Sequence, residues 1–188
     1  MDKFLNNLEK LYRITFDARS NYEIWWIYIS KEGRKSYLKI YRHFKEFFET
    51  TGYAHISMIT VSLYKLFETI DDTVNFKNII KQAQELGIIT DVDLETLKPT
   101  LDKAKNIWIK VNQLRSYLFA HRVKDLTVEE IYDKAKITPN QIRDLTDLSL
   151  EILNFIAVKA GKKERKFEDW TIRDTYRLLE TLKNSYSE

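Results

Sequence analysis

From Phe4 to Trp25 a largely apolar residue returns every three or four positions, at Phe4, Leu8, Leu11, Thr15, Ala18, Tyr22 and Trp25, and no glycine or proline interrupts the series before Gly33. A half-buried strand would alternate with a period of two, whereas this spacing lines one face of a helix. It predicts one long helix, or two broken near Asn21. The same scarcity of breakers runs through the chain. Four glycines and two prolines, beside 44% hydrophobic and 13% aromatic residues, leave few of the turns that a sandwich or barrel requires. The fold class is all-α, a helical bundle, and 188 residues suit a single helical domain with a substantial core.

The segment from Arg34 to Lys45 interleaves Arg34, Lys35, Lys39, Arg42 and Lys45 with Tyr37, Tyr41 and Phe44. It has two readings: a phosphate-backbone platform, or an exposed helix with Leu38, Tyr41 and Phe48 facing inward and its lysines solvated. Trp25, Trp26 and Tyr28 could stack on bases, but their helical spacing favours core or dimer interface. Gly52 is expected to separate the second helix from a third, whose apolar face is Ile56, Ile59, Leu63, Leu66, Phe67 and Ile70. A short helix from Phe76 to Leu86 is stopped by Gly87. Ile89 to Glu95 reads as a loop or one turn, and Pro99 as the first residue of the next helix.

That helix carries the stripe Leu101, Ala104, Trp108, Val111, Arg115, Leu118 and Arg122, so two arginines interrupt an apolar seam. Unpaired buried charge is costly, and these cations should meet carboxylates, a phosphate or another subunit. Glu68 and Asp71, at the end of the third helix, are candidates to hold Arg115 by a bidentate contact. Thr127 with Glu130 reads as a capping box for a short helix from Val128 to about Lys136. Thr138 and Pro139 then open a helix running to Gly161. The basic tract KAGKKERK reads as a solvated linker, and the amphipathic tail from Thr171 to Tyr186 should dock on the body or a partner.

No cysteine is present, which excludes disulfides, thiolate metal sites and thiol nucleophiles. His43 has no second ligand at metal-binding spacing, since His55 lies twelve residues on, and there is no Gly-rich phosphate loop. Neither metal nor cofactor is expected. The N-terminus lacks the apolar core of a signal peptide and no segment has the length of a membrane span, so a cytoplasmic protein without membrane contact is expected. A net charge of +3 leaves nucleic-acid binding to be argued from where the basic residues cluster.

One pair of residues has the chemistry of a site. Arg115, a fixed cation, precedes the ionisable His121 by six positions in LRSYLFAHRVKD. A continuous α-helix would leave the two side chains about 120° apart around its axis, so a shared site requires a departure from that helix. Near a helix C-terminus the dipole favours the imidazolium while Arg115 and Arg122 oppose it, which suits proton transfer. The competing reading is structural: His121 also continues the apolar series Ile107, Val111, Leu114 and Leu118.

Arginine, a polar residue, apolar residues and then Ala-His, in NQLRSYLFAHRVKD, resemble the signature of the HEPN domains. Together with the upstream helix SLYKLFETIDDTVNFKNII, they are most similar to the AbiU-like branch associated with bacterial abortive infection. The resemblance spans about Gly52 to Gly161, with the remaining N- and C-terminal helices as additions to that core. It implies a metal-independent endoribonuclease of a toxin or phage-defence system, acting by transesterification at the ribose 2′-hydroxyl. Arg115 and His121 would be catalytic, with Ser116, Arg122, Glu68 and Asp71 supporting them or binding substrate. RNA is the implied partner, and a homodimer the implied assembly. Two positions depart from the family pattern. Ser116 stands where Asn or Asp is common, and Val123 where toxins paired with a nucleotidyltransferase antitoxin often carry a modifiable tyrosine. The second departure argues against that pairing and leaves another antitoxin or inhibitor protein open. From a different class, the alternative is a non-catalytic helical module that binds RNA or protein.

Overall fold

Helix α1, Asp2–Ile29, is unbroken over 28 residues, about 42 Å at 1.5 Å per residue. All seven stripe residues are buried. Asn21 is helical and, instead of breaking the helix, donates from Nδ2 to the Asp17 carbonyl at 2.8 Å. The computed structural model describes residues 1–120 and 128–186, with backbone alone at Ala120, Val128 and Glu129. Among these residues follow α2 (Lys31–His43), α3 (Lys45–Phe67), α4 (Phe76–Glu85), α5 (Asp91–Arg115), α6 (Val128–Ala135), α7 (Pro139–Lys159) and α8 (Trp170–Ser185). A π-helical turn, Ser116–Ala120, succeeds α5. No strand occurs among the described residues, and the fold is all-α.

Four helices close a ring: α1 packs against α3 and α7, and α5 packs against the same two. Its centre is Leu11 and Tyr22 from α1, Leu63 and Leu66 from α3, Val111 and Leu114 from α5, and Leu145 and Ile152 from α7, each at most 1% exposed. Burying one such side chain stabilises by about 1.5–3 kcal/mol, so the ring dominates the energetics and fixes where the end of α5 lies. Helix α4 leans on α1 and α3, and α6 on α5 and the π-turn. Trp25 belongs to this core, stacked on Tyr132 and close to Tyr22. Its expected alternative as a base platform is thereby replaced by a packing role.

A smaller core, Ile27, Tyr37, Ile40, Phe48 and Leu179, joins α2 and α8 to the far end of α1. The tail therefore docks, with Leu179 fully buried and Tyr176 still 40% exposed. Gly33 makes the tight entry into α2 feasible, because an added Cβ would overlap the Ile27 carbonyl oxygen. No described helix is long and apolar enough to cross a membrane.

Several local expectations are corrected. Gly52 lies inside α3 with open space where a Cβ would be. The break falls instead at Phe44, whose φ of −110° and ψ of 42° are non-helical. Leu38 faces solvent while Tyr37 and Ile40 face inward, because Tyr37 itself departs from helical geometry and shifts the phase. Pro99 sits within α5, which begins eight residues earlier at a capping box between Thr90 and Asp93. Arg165 in the basic tract is pinned: its guanidinium meets Glu9 at 3.1 and 2.6 Å, and its backbone exchanges two hydrogen bonds with Asn154.

Candidate active site

Helix α5 delivers Arg115 to the rim of the four-helix ring. Its inward face is Leu97, Ala104, Ile107, Val111 and Leu114, which turns the seam away from the Trp108–Arg115 stripe that spacing alone suggested. Arg115 is consequently half-buried beside the seam. Its guanidinium lies over the Tyr64 ring of α3, 3.7 Å from the centroid. Tyr64 in turn stacks on Trp108 at 6.3 Å with planes 28° apart, and Phe67 flanks the same indole at 6.5 Å. The cation thus rests on an aromatic row shared by α3 and α5.

The acidic residues expected to hold Arg115 are engaged differently. Asp71 is exposed and pairs with Lys77 at 2.7 Å, and the Lys77 hydrogen bond holds its carboxyl below the ordinary carboxylate range. Glu68 is half-buried and ends α3, its backbone N–H donating to the Tyr64 carbonyl at 3.0 Å. Among the described residues no carboxylate lies within ion-pair reach of Arg115. A carboxylate would have taken the N–H edge of the guanidinium, whereas Tyr64 holds its flat face. Tyr64 was missed in the sequence, although it lies one helical turn before Glu68 on α3 and could have been sought there.

Ser116 follows at once, and its hydroxyl donates back to the Asn112 carbonyl at 3.0 Å, within its own helix. From Ser116 to Ala120 the backbone makes a π-turn, wider than the α-helix and often found at functional sites. The α-helical register of Arg115 is therefore not carried through to Ala120. His121, Arg122, Val123 and the Thr127 cap lie outside the described residues. The other two histidines have structural surroundings. His55 Nδ1 meets Asn21 Oδ1 at 2.8 Å, and burial holds its imidazole below the usual range. His43 packs on Phe44 and Tyr186. Among the described residues no three Asp, Glu or His side chains converge as a metal-binding group.

No curated protein and no solved structure gave a match to the chain. A sequence profile of the HEPN family, described as AbiU2, matches residues 1–179, from α1 into α8, and so takes in the packed ring, Arg115 and the π-turn together. The chain belongs to the AbiU2 family of HEPN domains.

Proposed function

We propose that the protein is a metal-independent endoribonuclease of the abortive-infection or toxin type, with Arg115 and His121 as its catalytic pair. The observation that carries this reading is Arg115: a half-buried cation positioned by an aromatic face, with its hydrogen-bonding edge unclaimed by any described carboxylate. In the reaction His121 takes the proton of a ribose 2′-hydroxyl, or protonates the leaving 5′-oxygen. The 2′-oxygen attacks phosphorus, the bond to the 5′-oxygen breaks, and a 2′,3′-cyclic phosphate and a 5′-hydroxyl result. Arg115 stabilises the charge on the pentavalent phosphorane. Arg122 and Ser116 bind or orient the phosphate, Ser116 after leaving its bond to Asn112.

A homodimer would bring two such pairs to one cleft. In support, α3 carries no Lys, Arg, Asp or Glu from Thr50 to Tyr64, and Tyr53 and Met58 remain 53% and 50% exposed. An uncharged helix face of this kind suits a second copy. Sedimentation at micromolar concentration should give a dimer, and monomer alone would contradict it. An antitoxin or inhibitor protein would then act by covering the cleft.

The second reading, a non-catalytic RNA- or protein-binding module, draws on the aromatic stack and the inward bond of Ser116, which would equally serve a structural arginine. Incubating total RNA with the protein and with an Arg115→Ala/His121→Ala double variant separates the two. Degradation by the parent alone supports the nuclease. Equal degradation by both removes this pair from the mechanism.

A further inference from the structure

The outward face of α2 has no role in the chemistry above, yet it holds the chain's excess positive charge. Lys31, Arg34, Lys35, Lys39 and Arg42 are all exposed, while Gly33, Tyr37 and Ile40 form the buried face. Five cations against Glu32 alone give α2 a net charge of +4, compared with +3 for the whole chain, so everything outside α2 is slightly acidic. Several surface lysines elsewhere are neutralised locally, as in Lys77–Asp71, Lys81–Glu85, Lys98–Glu95 and Lys159–Asp93. Among the described residues, none of the five α2 cations has a carboxylate within ion-pair distance. Like charges one turn apart, such as Lys31 with Lys35, destabilise a helix until a polyanion screens them.

We propose that this face docks the phosphate backbone of single-stranded RNA, an inference that rests on RNA being the substrate class. The five cations extend over about 16 Å of helix. At the C-terminal end of α2 the rings of His43, Phe44 and Tyr186 cluster with centroids 4.4 to 5.1 Å apart, and Tyr186 is 48% exposed. A basic track ending on exposed rings is the arrangement that follows a strand and stacks its bases. An anionic membrane fits less well, because the apolar face of α2 is already spent on the smaller core and only Leu38 is left outside. The surface is separate from the candidate active site. Helix α3 starts beside α2 and reaches Tyr64 nineteen residues later, about 28 Å along its axis. The α2 face would thus hold a flank of the strand and not the cleaved bond.

The test uses the full chain carrying His121→Ala, so that the strand is not cut, and a labelled mixed-sequence single-stranded RNA titrated at several salt concentrations. Binding should weaken with salt by about 0.7 in log–log slope for each phosphate contacted. Lys35→Glu/Lys39→Glu/Arg42→Glu should therefore reduce the slope by about 2 and weaken binding at least tenfold in low salt. A control of equal charge change at exposed sites elsewhere, Lys81→Glu/Lys98→Glu/Lys103→Glu, should reduce the slope by less than half as much. Circular dichroism melting checks folding, and Lys35→Gln/Lys39→Gln/Arg42→Gln replaces the reversal if it unfolds. Equal losses in the two triple variants, or no loss in the α2 variant, would overturn the proposal. So would binding to phosphatidylserine vesicles in place of RNA. If the parent binds RNA through α2 while the wild-type protein cuts none, the nuclease reading fails and the α2 surface stands. If the parent binds no RNA, both fall.

Discussion

Arg19 and Arg115 are both partly buried arginines at helix interfaces, and both lie over a ring, Phe167 at 4.8 Å and Tyr64 at 3.7 Å, but they differ in what meets their N–H edges. Arg19, with a side chain 11% exposed, meets Glu23 at 2.6 Å and Asp147 at 2.7 Å and donates to Thr146 Oγ1 at 2.9 Å. It ties α1 to α7, and its N–H edge is consumed by the fold. Arg165 is held alike by its edge, on Glu9, with Tyr12 beneath at 4.2 Å; the Arg165 hydrogen bond holds the Glu9 carboxyl below its ordinary range. Arg115 is held by its face on Tyr64. The first arrangement stabilises a protein. The second orients a cation without a described carboxylate on its N–H edge, because a ring fixes orientation without competing for hydrogen bonds.

The largest effects should appear in activity at the Arg115 end. His121→Ala should lower the cleavage rate by about 100- to 10,000-fold in single-turnover assays, with the melting curve unchanged. Arg115→Ala should cost about 100- to 1,000-fold in rate, and about 1 kcal/mol or less in stability by urea denaturation, the worth of a partly exposed cation–π contact. A loss of several kcal/mol there would make Arg115 a structural arginine and erase the contrast. Arg19→Ala should behave inversely. It leaves Glu23, with a side chain only 13% exposed, without its cation, so the same urea experiment should show a loss of about 2–3 kcal/mol. Rate per folded molecule should stay near the parental value.

The smallest effect concerns the start of α5. A hydrogen bond from Lys159, then those from the Thr90 backbone and side chain, lowers the Asp93 carboxyl to about 2 from an ordinary 3.8. A carboxylate depressed in the folded state contributes stability that is complete above its unfolded pKa and is lost as pH falls through the folded value. The stability difference between the parent and Asp93→Asn should therefore be constant above about pH 4 and shrink toward pH 2. A difference independent of pH would mean that Asp93 acts through its cap geometry and not through its charge.

Much of the ring was legible in the sequence. The α1 stripe and the Thr138–Pro139 start of α7 were read correctly because period and cap chemistry agreed there. Breaker residues misled where packing outweighed propensity. An interior glycine costs a helix only about 1 kcal/mol, and α3 runs through Gly52 while the chain bends at Phe44, which carries no breaker signal. Pro99 lies inside α5 because the Thr90–Asp93 box had already started the helix, and Leu97 and Ala104 bury either side of it. At the candidate site, the sequence singles out Arg115 but not the ring beneath it. The carboxylates looked like its partners by charge, yet Asp71 is taken by Lys77, and an aromatic partner has no charge signature to find. The π-turn was likewise invisible, since no local residue pattern specifies it, and the bend that the sequence suggests, after Val123, lies outside the described residues.

The most direct measurement is the chemistry of the cut ends. RNA incubated with the protein in a chelator should be cleaved to 2′,3′-cyclic phosphate and 5′-hydroxyl termini, as attack by the ribose 2′-oxygen requires, while DNA of the same sequence stays intact. The Arg115→Ala/His121→Ala variant should leave both uncut. Cleavage abolished by the chelator, 3′-hydroxyl products from RNA, or cutting of DNA would each contradict the account.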